Sequence, residues 1–246
     1  MEAQNTTRSG QVRGKKTFAT AFVFFAVCIS FADPKTGPKS DFSFDSMAAK
    51  LGSRKIEQGK HYGVATVRYT GFGKTQVMTY GGRPCLLLVT KPSTRPDETH
   101  ANLVLLPWFS GGVDLSCNMT TLRQLRRNSP AQPHEAAWII WNYVDDAHFY
   151  YLILKENGAE LGKEDPAYSG NQRFIPIYDT ANYNIGTTYS IHIQQFRNHI
   201  QIWVDGRQIA DFTDSERPIE SGRVAAYCED SKVIFQSLKA KTYKGP

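Results

Sequence analysis

Seven side chains have the types and spacing to grip a hydroxyl-rich ring. Asn142, Tyr151 and Lys155 lie in one stretch, and His192, Gln194, Gln201 and Trp203 in another. Amides, a phenol and an ammonium bond hydroxyl groups, and an indole covers the apolar face of a sugar ring. An imidazole can bond a hydroxyl or move its proton. The same residue types also form ordinary cross-strand pairs, worth about 0.2–1 kcal/mol each. Asp145-Asp146 presents the hard oxygens of a calcium pair and equally the composition of a tight turn, with Asp230 or Asp45 as further donors. Structural calcium therefore stays open, and no other cofactor is implied. Glu160 and Lys163, in the run NGAELGK, read as a loop ion pair or a rim contact.

Strands must position these groups. From Ala136 the chain reads AAWIIWNYVDDAHFYYLILKENGAELGK. Two aromatic, β-branched runs flank Asp145-Asp146-Ala147-His148, which predicts a hairpin with strands over about 137–144 and 148–156. Pairing Val144 with Phe149 sets Asn142 opposite Tyr151, Ile140 opposite Ile153 and Trp138 opposite Lys155. The other face, with Tyr143 and Tyr150, Trp141 and Leu152, Ile139 and Leu154, is wholly apolar or aromatic and belongs in the core. In a second hairpin, Tyr189, Ile191 and Ile193 share one face with Ile200, Ile202 and Val204. A turn at Phe196 to Asn198 then sets Gln195 against Ile200, His192 against Trp203 and Gln194 against Gln201. With the two hairpins as neighbours in one sheet, all seven residues would line one groove on its concave face.

The rest of the chain supports that frame. Val113, Leu115, Cys117 and Met119 alternate with Asp114, Ser116, Asn118 and Thr120, a half-buried strand running to about Arg126. Further short strands fall in DFSFDSM, VATVRYTGF, TQVMTYGG, PCLLLVTK, NLVLLPW, RQIADFTD, GRVAAYCED and SKVIFQSLKAKTY. QRFIPIY is broken by Pro176 and suits a sheet edge. Asp45 caps one helical turn, Ser46 to Leu51, closed by Gly52. ENGAELGKEDPAYSGNQ reads as a long polar loop. Strands at this spacing without long helices predict an all-β, two-sheet antiparallel sandwich over residues 41–246.

The chain has 246 residues, enough for one sizeable core, and its net charge is +6. Residues 1–32 supply +3 of that, through Arg8, Arg13, Lys15 and Lys16 against Glu2, so the remainder carries +3. The densest basic run is only TLRQLRRN, which argues against nucleic acid as a partner. The basic segment, the apolar run TFATAFVFFAVCISFA and the small-x-small site Ser30-Phe31-Ala32 predict a signal peptide over 1–32. Residues 33–40 form a loose start. The mature chain is then secreted or extracytoplasmic, with no membrane contact once the signal is removed. Cys85, Cys117 and Cys228 remain, an odd number, so one disulfide at most closes within the chain. Asn118-Met119-Thr120 is a glycosylation sequon for a eukaryotic host.

The order of residues carries a resemblance. Trp138, Trp141, Tyr143, Asp145, Asp146, Phe149, Tyr150, Tyr151, Asn157 and Gly158 are followed by Val204, Asp205 and Gly206, then by Gly222, Val224, Tyr227, Glu229 and Asp230. This pattern resembles the concanavalin A-like jelly roll. It is most similar to the laminin-G-like branch with the 3-keto-disaccharide hydrolase domains and the family-sixteen glycoside hydrolase-like domains. The resemblance covers about residues 41–243 and is strongest from Trp138 onward; most matching positions serve turns and buried aromatics. It implies a carbohydrate-binding protein, with an oligo- or polysaccharide as partner. The alternatives are a glycoside hydrolase or polysaccharide lyase of the same fold, or an adhesion domain without sugar. Laminarinase-type relatives carry a Glu-x-Asp-x-x-Glu strand, and this chain has none: Glu156 and Glu160 straddle a turn, and Glu164-Asp165 sits in the expected loop. Lyases of this fold use Tyr, His, Arg and Gln, for which His192, Gln194, Tyr151 and Lys155 are the candidates.

Overall fold

The computed structural model describes residues 39–245. The expected signal peptide and most of the loose start lie outside the described residues. Two antiparallel sheets face each other. The nine-stranded sheet runs β15 (Arg207–Thr213), β14 (His199–Val204), β13 (Thr188–Phe196), β8 (Gly112–Gln124), β17 (Ser231–Thr242), β6 (Arg83–Val89), β5 (Lys74–Tyr80), β2 (Arg54–Ile56), with β1 (Asp41–Ser43) also on β17. The eight-stranded sheet runs β12 (Gln172–Ile175), β11 (Gly158–Glu164), β10 (His148–Lys155), β9 (Ala137–Asp145), β16 (Gly222–Glu229), β7 (Ala101–Phe109), β4 (Ala65–Tyr69), β3 (His61–Tyr62).

Period-two alternation builds the core between them. Leu115, Cys117, Ile191, Ile193, Ile200 and Ile202 of the first sheet meet Ile139, Trp141, Leu152, Leu154, Val224 and Ala226 of the second in one buried cluster. Each such aliphatic side chain contributes about 1.5–3 kcal/mol by leaving water. The helix α1 (Phe44–Leu51) is capped by Ser43, whose Oγ accepts from Ser46 N, and not by Asp45 as expected. Asp45 lies in the first turn, where a carboxylate still complements the helix dipole. Gly52, at φ 66°, ends the helix.

The second hairpin has the expected register: Gln195 faces Ile200, His192 faces Trp203, and Gln194 faces Gln201. The first hairpin differs. His148 faces Asp145 near the turn, but beyond it Tyr150 faces Trp141, Tyr151 faces Ile140 and Ile153 faces Trp138. A bulge absorbs the slip, and Asn142 adopts φ 49° there, a left-handed backbone that Asn tolerates better than most residues. Tyr143 is thereby turned out of the main core into a second apolar layer. The first part of the expected polar loop is the strand β11, the stretch from Asp165 to Asn171 remains outside the strands, and β12 is the expected edge strand.

The common groove expected from the two hairpins does not form. They belong to different sheets. Ile191 and Ile193 point into the same core as Trp141 and Tyr150, so the alternate residues of the two hairpins face opposite sides of the sandwich. Cys85, Cys117 and Cys228 are buried and free.

Candidate functional site

The strongest constellation sits on the outer face of the eight-stranded sheet, at its β11–β12 end. The outward residues of the sheet first build an aromatic layer. Trp138 packs on Tyr151 and on Tyr227, each with ring centroids 5.0 Å apart. Tyr143 stacks on Phe149 at 5.8 Å. Trp138 donates its indole N–H to the His134 carbonyl at 2.8 Å. These rings are buried, so they act as a floor rather than a contact surface.

Gly162 lies at the β11 side of that floor, under the Tyr151 ring. It pairs with Tyr151 on one side and Phe174 on the other. A Cβ at Gly162 would lie 2.2 Å from the Tyr151 hydroxyl, so only hydrogen at this position lets the tyrosine lie across β11. The hydroxyl donates to Glu160 Oε1 at 3.1 Å and accepts from Gln172 Nε2. Glu160 also holds Lys155 Nζ at 2.5 Å. Glu160 and Glu164 straddle Gly162 on one face of β11, with Gln172 opposite Glu164. Phe174 faces Gly162 across the strand pair and is 63% exposed. Its Cβ is diagonal to both glutamates, at roughly 7–8 Å.

The electrostatics follow from burial. Glu164 is pushed up to about 7, first by desolvation and then by the charge of Glu160. Glu229 is pushed up to about 8 by burial, then by Asp230, Glu135 and Glu164, although a Tyr227 hydroxyl donated at 2.5 Å pulls the other way. Glu229 Oε2 accepts no hydrogen bond, with His134 Nε2 at 3.6 Å. Burial pushes His134 down to about 4. A carboxyl that keeps its proton near neutrality can give it away, and an ionised one nearby can accept.

The seven residues expected to bind are placed as follows. Tyr151 and Lys155 belong to this constellation, but Tyr151 is fully buried and acts by holding Glu160 and Gln172. Asn142 is 2% exposed, and its amide donates to the Ile219 carbonyl at 2.7 Å, so it pins a loop. His192, Gln194, Gln201 and Trp203 lie together on the far side of the molecule, on the outer face of the nine-stranded sheet. His192 stacks on Trp203 at 5.0 Å, and its Nε2 lies 2.9 Å from Asp114 Oδ1. Asp114 also accepts from Gln194, and Asp211 accepts from Gln201 at 2.8 Å. That surface is a hydrogen-bonded polar lattice with one indole in it.

Three other expectations resolve structurally. Asp145 caps Ala147 N and meets His148 Nδ1, while Asp146 accepts from Tyr143 and pairs with Arg68. Asp230 is held by Arg126 at 2.9 Å and by Ser93 at 2.5 Å. Among the described residues no group of three or more His, Cys, Asp or Glu is placed to hold a metal ion. Lys163 does not meet Glu160: it points inward, where it bonds Asp214 at 2.6 Å and the Glu216 carbonyl at 2.6 Å.

Glu164, Gln172 and Phe174 were not singled out in the sequence as a ligand surface, and Glu160 only as a loop ion pair or a rim contact. The usable signal is the alternation of Ala159, Leu161 and Lys163 with Glu160, Gly162 and Glu164. The inward lysine disguises that period.

No family model matches the chain, and no curated protein matches it in sequence. Solved structures do. A native glycosidic hydrolase is 9% identical with a TM-score of 0.51, covering 85% of this chain and 99% of that one. The exoplasmic/lumenal domain of VIP36, in a form bound to Ca2+ and Man3GlcNAc, is 11% identical with a TM-score of 0.50, covering 78% and 89%. The carbohydrate-binding module CBM66 from Bacillus subtilis is 14% identical with a TM-score of 0.48, covering 78% and 96%. At these identities the likeness is one of fold, and the chain is a two-sheet antiparallel jelly-roll sandwich of the kind those proteins share.

Proposed function

We propose that this protein is exported and recognises carbohydrate, holding a glycan against the β11–β12 end of the eight-stranded sheet. The observation that carries the reading is Phe174. A large aromatic ring 63% exposed, beside an ordered set of acceptors and donors, is what stacks on a sugar face while its hydroxyls are bonded. Glu160, Gln172 and Lys155 supply those bonds from three adjacent strands, β11, β12 and β10, and their contacts with one another and with Tyr151 hold them in place. Two fold neighbours, one named as a glycosidic hydrolase and one solved with Man3GlcNAc, support the class of ligand. A glycan array identifies a binder, and Phe174→Ala should then weaken it by about 1–3 kcal/mol with the melting temperature unchanged. Unchanged affinity refutes this surface.

The face of His192, Gln194, Gln201 and Trp203 is the competing surface, favoured by the His192–Trp203 stack. Trp203→Ala separates the two, because only one of the tryptophan and phenylalanine changes should affect affinity. A bond-cleaving activity at β11 is the second reading of the main site, favoured by Glu164 near neutrality beside Glu160. A general acid must keep its proton at the working pH. Reducing-sugar release that disappears in Glu164→Gln, with binding retained, would support it; no release from any array binder would end it.

A further inference from the structure

We infer that the glycan taken at the β11–β12 surface presents hydrogen-bond donors, as a neutral or amine-bearing chain does, and is not a uronate or sulfated chain. The inference rests on the proposed carbohydrate reading and names its ligand class. The donors of this surface are already given away, Lys155 to Glu160 and Gln172 to Tyr151, so what faces a ligand is chiefly the carboxyl oxygens of β11. Glu160 and Glu164 lie on this face at β11, while Glu229, 1% exposed on β16, stays behind the aromatic floor. Among the described residues, the cations near this face are engaged with partners. Lys155 is held by Glu160 at 2.5 Å. Arg126 is buried, bonded to Glu135, Asp230 and the carbonyls of Arg95 and Glu98. Arg68 pairs with Asp146. Lys163 and Arg173 both turn to Asp214, below the sheet. His134 is uncharged over the neutral range.

The carboxylate or sulfate group of an acidic glycan offers only acceptors, so it would be set against the carboxyl oxygens of Glu160 and Glu164 with no unengaged cation to pair it. A hydroxyl or protonated amine completes them. Glu164, held at about 7, would ionise beside a bound cation and release its proton to solvent. The charge of the whole chain works the other way: residues outside 1–32 carry +3, which attracts acidic chains at long range. A preference against acidic glycans therefore reports the site and not the net charge.

The experiment is calorimetric titration of the full protein with three oligosaccharides of equal length: a neutral glucan, a glucosamine oligomer and a galacturonate oligomer. The expected result is binding of the glucan or the glucosamine oligomer at least about tenfold tighter than the galacturonate. Glucosamine binding should release protons, read as a heat that changes with the ionisation enthalpy of the buffer. Glu160→Gln with Glu164→Gln should narrow the gap. Galacturonate binding as tightly as the other two overturns the inference while leaving the carbohydrate reading in place. Binding of none of the three, nor of any glycan on the array, overturns both.

Discussion

One methyl group at Gly162 tests the geometry of the site. A Cβ there would lie 2.2 Å from Tyr151 Oη, 2.3 Å from Cζ and 2.6 Å from Cε1. Favourable contact begins near about 3.5 Å, so the ring must retreat by about 1 Å. It has little room, because it packs on Trp138 at 5.0 Å and Phe149 at 6.3 Å. Overpacking of this kind costs about 1–3 kcal/mol. Pulling the hydroxyl from Glu160 and Gln172 adds about 1 kcal/mol. Replacing glycine by alanine on an extended strand returns about 0.4–1 kcal/mol through the unfolded state. The net expectation for Gly162→Ala is a loss of about 1–3 kcal/mol, or about 2–12 °C in melting temperature for a domain of this size. Thermal melts of Gly162→Ala, Tyr151→Ala and the double variant form a cycle. With the ring removed, the added methyl should be neutral or slightly stabilising. A single variant that melts like the parent, or a methyl equally harmful without Tyr151, refutes the packing described.

Lys163→Met should destabilise the protein by about 3–5 kcal/mol, seen as a lower denaturation midpoint, because it removes the main partner of a buried carboxylate. Burial alone would push Asp214 up, but bonds from Lys163 and Tyr150 outweigh it and hold its carboxyl below the usual range. Glu164 behaves oppositely. Its folded value, about 7, lies above the ordinary 4.5, so the folded state holds the proton more tightly. Its contribution is complete below about 4.5 and is lost as pH rises through about 7, so melting temperature should fall across that window and Glu164→Gln should flatten the fall. A thiol reagent should leave Cys85, Cys117 and Cys228 unmodified until the protein is unfolded. All three are buried, which pushes Cys85 up to about 11 and Cys117 up to about 12. Modification at native-state rates in buffer would contradict their burial.

The sandwich was legible because alternation is a direct image of a sheet with one buried face. Val113 to Thr120 read correctly as a half-buried strand, and the 188–204 hairpin down to the pairs His192–Trp203, Gln194–Gln201 and Gln195–Ile200. Both are regular ladders with a polar face. The first hairpin failed on register because both of its faces are apolar, so hydrophobic pattern does not select one pairing over another. The bulge at Asn142 is set by tertiary contact, an amide reaching the Ile219 carbonyl from 77 residues away, and has no local signal. The site was only partly legible for a similar reason. β11 contains an inward lysine whose partner, Asp214, is 51 residues distant. Which hairpins are neighbours depends on strand order, and that is decided by β16 and β17 at the far end of the chain.

That placement of β17 bears on how the molecule is made. The strand lies between β8 and β6 and also carries β1, so it joins the two halves of the nine-stranded sheet. On a ribosome, those halves emerge long before the segment that unites them. Until Ser231–Thr242 is available, β6 and β8 each present an unpaired edge. The nascent chain therefore cannot complete this sheet until its last strand has been made. By the same logic, a chain cut short before Ser231 would not lose a trimming at its end. It would be left with two open sheet fragments and a marked tendency to pair with other copies of itself.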